Sequence, residues 1–348
     1  MTVEKTPVHK GYRLAIGGVA LATIVVMLGS FTRLVDAGLG CPDWPGCYGH
    51  LLWPNEAHEI EAANSAFPDM PVIAGKPWPE MVHRYAAGLL GLLVFALTVI
   101  GVRHRKMDGF PYRQSILLGV LVVWQALFGM WTVTLKLWPQ VVTAHLLGGF
   151  ATFTLLTVLV QRLSDYRWRL PELQLTTLIA VRPMVVIGII LVVIQSFLGG
   201  WMASNYAAFG CPDFPTCTGK WWPNMDIAHG FNLFQQVGPN YLGGKMESVG
   251  RTAIHFIHRL GAIVTAGYLI AMGVRIYKIG ARPAQKLLIA IWTVLFIQVM
   301  LGILNVLLAI PLFIAVAHNF VGVVLLALTA ALLTQINRAV YKQQSEGQ

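Results

Sequence analysis

The residues of this chain that can do chemistry come in matched pairs. His83 is followed by Arg84 and His258 by Arg259, while His145 and His318 each follow an alanine. Glu80 stands three residues before His83, and His255 three before His258. Cys41 and Cys47 close a CPDWPGC segment; Cys211 and Cys217 close CPDFPTC. An imidazole ligates haem iron or zinc, or makes hydrogen bonds. A carboxylate can move protons or stabilise developing charge. A close cysteine pair forms a disulfide or holds a metal. The same kit occurs twice, and only the first copy carries the carboxylate.

The elements that must position these groups are membrane spans. Charged residues make up 11% of the 348 and hydrophobic ones 56%, against about 25% charged in soluble domains. Eight stretches are long and apolar enough to span, at 12–32, 82–102, 114–134, 140–161, 181–203, 252–273, 286–308 and 312–334. The net charge of +10 sits in short segments between them, which is the positive-inside pattern and not a nucleic-acid footprint. Lys5, Lys10 and Arg13, then Arg103, Arg105, Lys106 and Arg113, then Arg162, Arg167 and Arg169 belong to this cytoplasmic set. So do Arg275, Lys278, Arg282 and Lys286, and finally Arg338 and Lys342. The other connections hold most of the acids, the Pro-Trp clusters and the four cysteines, and face outward. An even number of spans puts both termini in the cytoplasm. The first apolar run ends at Arg33 with no small-residue cleavage site, so it is expected to remain as a helix.

The two halves repeat. Cys41 and Cys47 recur as Cys211 and Cys217 at an offset of 170, and His83-Arg84 as His258-Arg259 at 175. His145 recurs as His318, and Gln125 and Gly129 as Gln298 and Gly302, all at 173. Matched blocks in one order imply a duplicated four-helix unit with parallel topology, residues 1–170 and 171–348. The fold class is an all-α polytopic membrane protein, eight transmembrane helices in two repeated four-helix bundles.

An ionisable group inside a bilayer costs several kcal/mol without a partner, so histidines within spans are candidates for function. His83, His145, His258 and His318 each fall in the first two turns of a helix running from outside to inside, at one depth near the outer face. Two per half, from alternate helices of a bundle, is the arrangement that ligates a haem from both sides. A set of interhelical hydrogen bonds is the alternative. A zinc site wants four ligands in close array, and each half offers two. Gly88, Gly91, Gly148 and Gly149 suit a flat macrocycle close to backbone. Arg84 and Arg259 either pair with haem propionates or snorkel to the interface. Glu80 is either a functional carboxylate one turn outward of His83 or a helix-start acid favoured by the dipole. His9 and His104 fall in cytoplasmic segments, and His50, His58 and His229 in outer loops, where solvated surface roles are expected. The cysteines are expected to form Cys41–Cys47 and Cys211–Cys217 disulfides rather than one zinc site, because the repeat puts the pairs on separate halves. A structural staple and a redox pair both remain open.

These residues resemble the haem A synthase family, in its bacterial branch with cysteine pairs. The similar elements are TRL at 32–34, the GLGCPDWPGC loop, ExxHR at 80–84, His145, HR at 258–259 and His318, in order along nearly the whole chain. The resemblance implies oxidation of a ring methyl of haem O to a formyl group, giving haem A for terminal oxidases, in the bacterial cytoplasmic (inner) membrane. It implies a resident haem b on His258 and His318, a substrate haem flanked by His83 and His145, and a catalytic role for Glu80. It also points to haem O synthase and terminal-oxidase assembly factors as partners, and leaves the electron donor open. A di-haem b-type electron-transfer protein linked to quinol, and a haem transporter, are the competing readings. A prenyl transferase would need Asp-rich diphosphate motifs that the spans lack.

Overall fold

A computed structural model describes residues 9–164, 166–235 and 238–341. Lys5 and Lys342, assigned above to the cytoplasmic set, lie outside the described residues, as do both termini. Among the described residues eight helices are long and apolar enough to cross a membrane. They are α1 (Tyr12–Leu34), α3 (Pro77–Arg103), α4 (Tyr112–Thr134), α5 (Pro139–Leu163), α7 (Arg182–Ser204), α9 (Ser248–Tyr277), α10 (Arg282–Leu307) and α11 (Leu312–Arg338). Short helices α2 (Ala57–Ala66), α6 (Glu172–Ala180) and α8 (Ile227–Gly230) lie between them.

Three spans begin about a turn earlier than hydropathy predicts. α3 starts at Pro77, because proline is pre-set for a first helical turn and Pro77 and Pro79 both fall there. α9 starts at Ser248, in a polar first turn that includes Arg251. α10 starts at Arg282, with Pro283 in a polar first turn. In each case the apolar run begins a turn after the helix does.

Helices of each half pack in a closed ring. α1 meets α3, α3 meets α4, α4 meets α5, and α5 returns to α1; α7, α9, α10 and α11 repeat the circuit. The halves join through α5 against α11, with α1 on α11 and α7 on α5. This seam is well packed. Phe153 and Phe320 meet edge to face at 6.3 Å, and the buried Thr143 and Ser204 hydroxyls are 3.0 Å apart. At the basic end, strands β1 (Arg169–Leu170) and β2 (Val340–Tyr341) pair in parallel and tie the inter-half linker to the tail. Leu92, Phe95, Val123, Ile263 and Phe296 point outward with most of their surface exposed. Such a belt would be a liability in water and is what lipid-facing helices present. The chain is a multi-pass membrane protein.

The resulting unit is smaller than a half. Each of α1, α4, α7 and α10 ends with a residue in the left-handed region two positions on: Asp36, Lys136, Tyr206 and Ala309, with φ of 50°, 54°, 53° and 53°. In three of them the next N–H reaches back to close the turn, Ala37 to the Thr32 carbonyl, Leu137 to Thr132 and Ile310 to Asn305, at 2.7–2.9 Å. These bonds satisfy carbonyls that a helix end leaves orphaned. The bundle is therefore four helical hairpins, α1/α3, α4/α5, α7/α9 and α10/α11.

Both cysteine segments are disulfide loops, Cys41–Cys47 and Cys211–Cys217, at the end of the bundle opposite the basic connections. Asp43 accepts the N–H groups of Tyr48 and Gly49, and Asp213 those of Thr218 and Gly219, so the two loops share one turn chemistry. Protein extracted under non-reducing conditions should take up no thiol-alkylating reagent, and should take up four equivalents per chain after denaturation and reduction. Two or more equivalents before reduction, or bound zinc, would remove the loops' covalent staple.

Candidate functional site

Each hairpin places one histidine on its second helix. His83, His145 and His318 sit in the second turn of α3, α5 and α11. His258 sits in the third turn of α9, not within the first two, because that helix begins one polar turn earlier. Each imidazole turns back toward the first helix of its own hairpin and meets a glycine there: Gly29, Gly129, Gly199 and Gly302 respectively. All four glycines stand five residues before their helix ends. Gly29 and Gly199 were missed in the sequence, although they share the cysteines' offset of 170.

One turn deeper than the glycine, three hairpins carry a glutamine: Gln125, Gln195 and Gln298. The Gln195 amide nitrogen lies 3.1 Å from His258 Nδ1 and donates to its backbone carbonyl at 3.0 Å. That of Gln298 lies 3.4 Å from His318 Nε2. Against His83 the corresponding residue is Val25.

The two rings of the first half face each other, with centroids 6.5 Å apart and planes at 85°. A metal between two imidazoles, at about 2 Å from each nitrogen, needs centroids roughly 6 Å apart. The Nδ1 atoms of His83, His145 and His318 are buried without hydrogen-bond partners, so no protein bond there fixes these rings against a ligand. Both observations fit a haem held between paired imidazoles. Among the described residues no cluster of three or more His, Cys, Asp or Glu side chains is arranged around a metal.

The macrocycle-facing role expected for four glycines fares unevenly. Gly88 lies on an exposed face with nothing near its α-carbon, Gly91 packs on Val122, and Gly148 lies against the Gln125 amide. Gly149 keeps open space without lying on an exposed face, one turn beyond His145 on the same side of the helix.

At the outer end Glu80 is buried, at 5% exposure. Its Oε2 accepts the Cys41 N–H at 3.0 Å, and its Oε1 the Arg84 guanidinium at 2.5 Å. Arg84 also donates to the loop carbonyls of Asp43, Pro45 and Gly46. In the second half His255, 4% exposed, takes the place of Glu80, and its Nδ1 accepts the Cys211 N–H at 3.3 Å. Arg259 donates to the Cys211 and Thr216 carbonyls. The repeat keeps the bond from helix to disulfide loop and changes the acceptor from an anion to an imidazole. A carboxylate in a buried ion pair is more than a helix-start acid, because removing one partner strands the other charge. The terminal donors of Arg84 and Arg259, read above as propionate partners or as snorkelling groups, are engaged with the loops and, for Arg84, with Glu80. Nearby, burial first and then the Glu80 and Asp43 charges push the Tyr48 phenol above its usual range, so it stays a donor, to the Met70 carbonyl at 3.0 Å.

Arg33, read above as the end of the first apolar run and as part of TRL, bridges the halves. Its guanidinium donates to the Ala203 carbonyl at 2.7 Å and stacks 3.9 Å over the Tyr206 ring. His58 lies exposed beside Glu56, and His104 and His9 pack on Phe110 at the basic end. His229 departs from the solvated role expected of it. It lies on α8 against Gly250, with its Nε2 buried and without a partner, because the long outer loop folds back onto the start of α9.

Comparison with known proteins agrees with this architecture. The COX15-CtaA model, described as a cytochrome oxidase assembly protein, matches residues 12–330. A haem A synthase of Shewanella oneidensis is 41% identical over 92% of this chain and 94% of its own length. Those of Caulobacter vibrioides and Paracoccus denitrificans are 26% and 27% identical, each over 92% of this chain and over 94% and 87% of their own lengths. With nearly every span inside the match, the chain belongs to the COX15-CtaA family of cytochrome oxidase assembly proteins.

Proposed function

We propose that this chain is a haem A synthase, which oxidises a ring methyl of haem O to the formyl group of haem A. The observation that carries the reading is the doubled imidazole pair whose copies differ by one carboxylate, in a chain 41% identical to a haem A synthase. We assign His258 and His318 to a resident haem b, and His83 and His145 to the substrate haem O. The N-terminal half is then the reaction half and the C-terminal half the relay half. When bound, the resident haem supplies one-electron transfer capacity.

The protein's own part is positioning and charge. His83 and His145 orient the substrate macrocycle between α3 and α5. The lipid-facing helices shut water out from the ring. Glu80, one turn outward of His83, is the anionic group of the reaction half, and Arg84 and the Cys41 N–H fix where its charge lies. A fixed carboxylate beside a ring carbon losing electrons stabilises that change without reorganisation and can accept the proton released. His255 at the matching place offers no fixed negative charge, which suits a relay. Arg84 and Arg259 could reach propionates only with donors the loop carbonyls leave over. The basic end fits the cytoplasmic face of a bacterial inner membrane, with the disulfide loops outside. Haem O synthase upstream and oxidase assembly factors downstream are the partners this reaction requires.

Pigments extracted from membranes holding this protein, supplied with haem O, should include the formyl haem. Two stoichiometric, unmodified haems b would indicate an electron-transfer protein instead. His258→Ala or His318→Ala should strip or convert the resident b-type spectrum, whereas His83→Ala and His145→Ala should leave most of it and abolish turnover. The reverse pattern would exchange the roles of the halves.

Glu80→Gln keeps shape and most hydrogen bonds but removes charge, so it should retain the resident haem and lose about two to four orders of magnitude in haem A formation. Arg84→Gln breaks the same ion pair from the other side, and losing one partner of a buried pair costs roughly 3–5 kcal/mol. Its expected effect is lower protein abundance with turnover per molecule falling less. If both variants lose abundance and turnover in proportion, the Glu80–Arg84 pair is structural and the catalytic assignment fails.

A further inference from the structure

The ring plane of an axial imidazole needs something to hold it. The χ2 torsion of histidine is broad, so the side chain's own rotamer preference leaves the plane loose. Ligating histidines usually fix it by donating their second ring nitrogen to a carbonyl or carboxylate. Here the Nδ1 atoms of His83, His145 and His318 lack hydrogen-bond partners. What each ring does have is a glycine. A Cβ built at Gly29 would stand 2.9 Å from His83 Cε1, at Gly302 3.1 Å from His318 Cε1, at Gly199 3.2 Å from His258 Cε1, and at Gly129 3.4 Å from His145 Cε1. Cε1 lies between the two ring nitrogens, so this contact bears on the edge of the ring that turns when χ2 turns.

General close packing of helices does not account for the pattern. Other helical glycines meet serine, threonine, leucine, glutamine or tryptophan side chains, Gly250 meets the His229 ring at Cδ2, and Gly267, on the same helix as His258, meets nothing within 4 Å. Among the described residues only these four, each five residues before its helix end, face an imidazole at Cε1.

We infer that Gly29, Gly129, Gly199 and Gly302 are positioning residues that set the planes of the four imidazoles. The inference rests on the assignment of those imidazoles to two haems. Each glycine lets the ring lie flat on helix backbone, where any side chain would tilt it. The hold should matter most where nothing else grips the ring. His258 has the Gln195 amide beside Nδ1 at 3.1 Å, whereas the Nδ1 of His318 has no hydrogen-bond partner and the Gln298 amide lies instead 3.4 Å from its Nε2. Gly302→Ala should therefore disturb the resident haem more than Gly199→Ala.

The test uses purified, haem-loaded protein and electron paramagnetic resonance of the ferric low-spin resident haem, whose lowest-field signal depends on the angle between the two imidazole planes. Gly302→Ala should keep its haem and shift that signal and the midpoint potential, Gly199→Ala should shift both less, and Gly267→Ala should match the parent. Gly29→Ala should leave the resident signal untouched and weaken haem O binding. His318→Ala serves as the reference. If it removes the resident signal while Gly302→Ala leaves that signal parental, the positioning inference falls and the haem assignment stands. If His318→Ala spares the signal, the haem assignment fails and the inference falls with it. A shift in Gly267→Ala equal to that in Gly302→Ala would also overturn the inference. So would loss of both Gly199→Ala and Gly302→Ala from the membrane with Gly267→Ala unaffected, since the glycines would then serve folding.

Discussion

Four imidazole rings enter an apolar bundle between helices, and three of them bring a buried ring nitrogen that no protein group satisfies. Lipid offers no water to make good that loss, so these rings carry a cost that marks them for function. The surrounding structure serves that constraint. Each ring hangs from one helix of a hairpin and rests on the other, and the helix ends are closed by left-handed residues that let the chain turn back at once or open into a loop. Pairing two hairpins brings two rings face to face, and the ring circuit of helices keeps them apart from lipid.

The outer end completes the enclosure. Each disulfide loop is pinned to the helix start beneath it by two kinds of bond. The first cysteine's N–H goes to the residue at position 80 or 255, and an arginine spreads over loop carbonyls. The staple limits how far the loop can open, and the bond registers the loop against the histidine one turn below. Because Glu80 and His255 do the same mechanical work, the change between them alters charge without altering shape. Geometry is common to the halves, and electrostatics is where they part.

Span number, order and the duplication were legible in the sequence, since hydropathy and offset need no contacts. The four paired histidines were legible because an imidazole in an apolar run is conspicuous. Helix starts at Pro77, Ser248 and Arg282 were read late, since a polar or proline-led first turn carries no apolar signal. Gly29 and Gly199 were invisible because a glycine in a spanning helix is ordinary, and only its facing partner gives it meaning. Arg33 was visible only as the end of the first apolar run and within TRL, since its partners Ala203 and Tyr206 lie in the other half. Glu80 was found by comparing the repeats, but its ion pair with Arg84 and its bond to Cys41 depend on how the loop folds back. Sequence alone therefore understated the cost of changing it.

The repeat also shows where specialisation entered. Around the rings and loops the first half departs from the second at Val25 for Gln195, Arg33 for Ala203, and Glu80 for His255. Glu80 and Arg33 add charge near the outer end, and both charges are fixed, one by Arg84 and one by the seam between halves. Val25 puts an apolar side chain where the other three hairpins carry a glutamine, one turn deeper than the glycine. The duplication thus supplies two matched pairs of rings on one backbone plan, and the differences around them lie in charge and polarity rather than in the path of the chain.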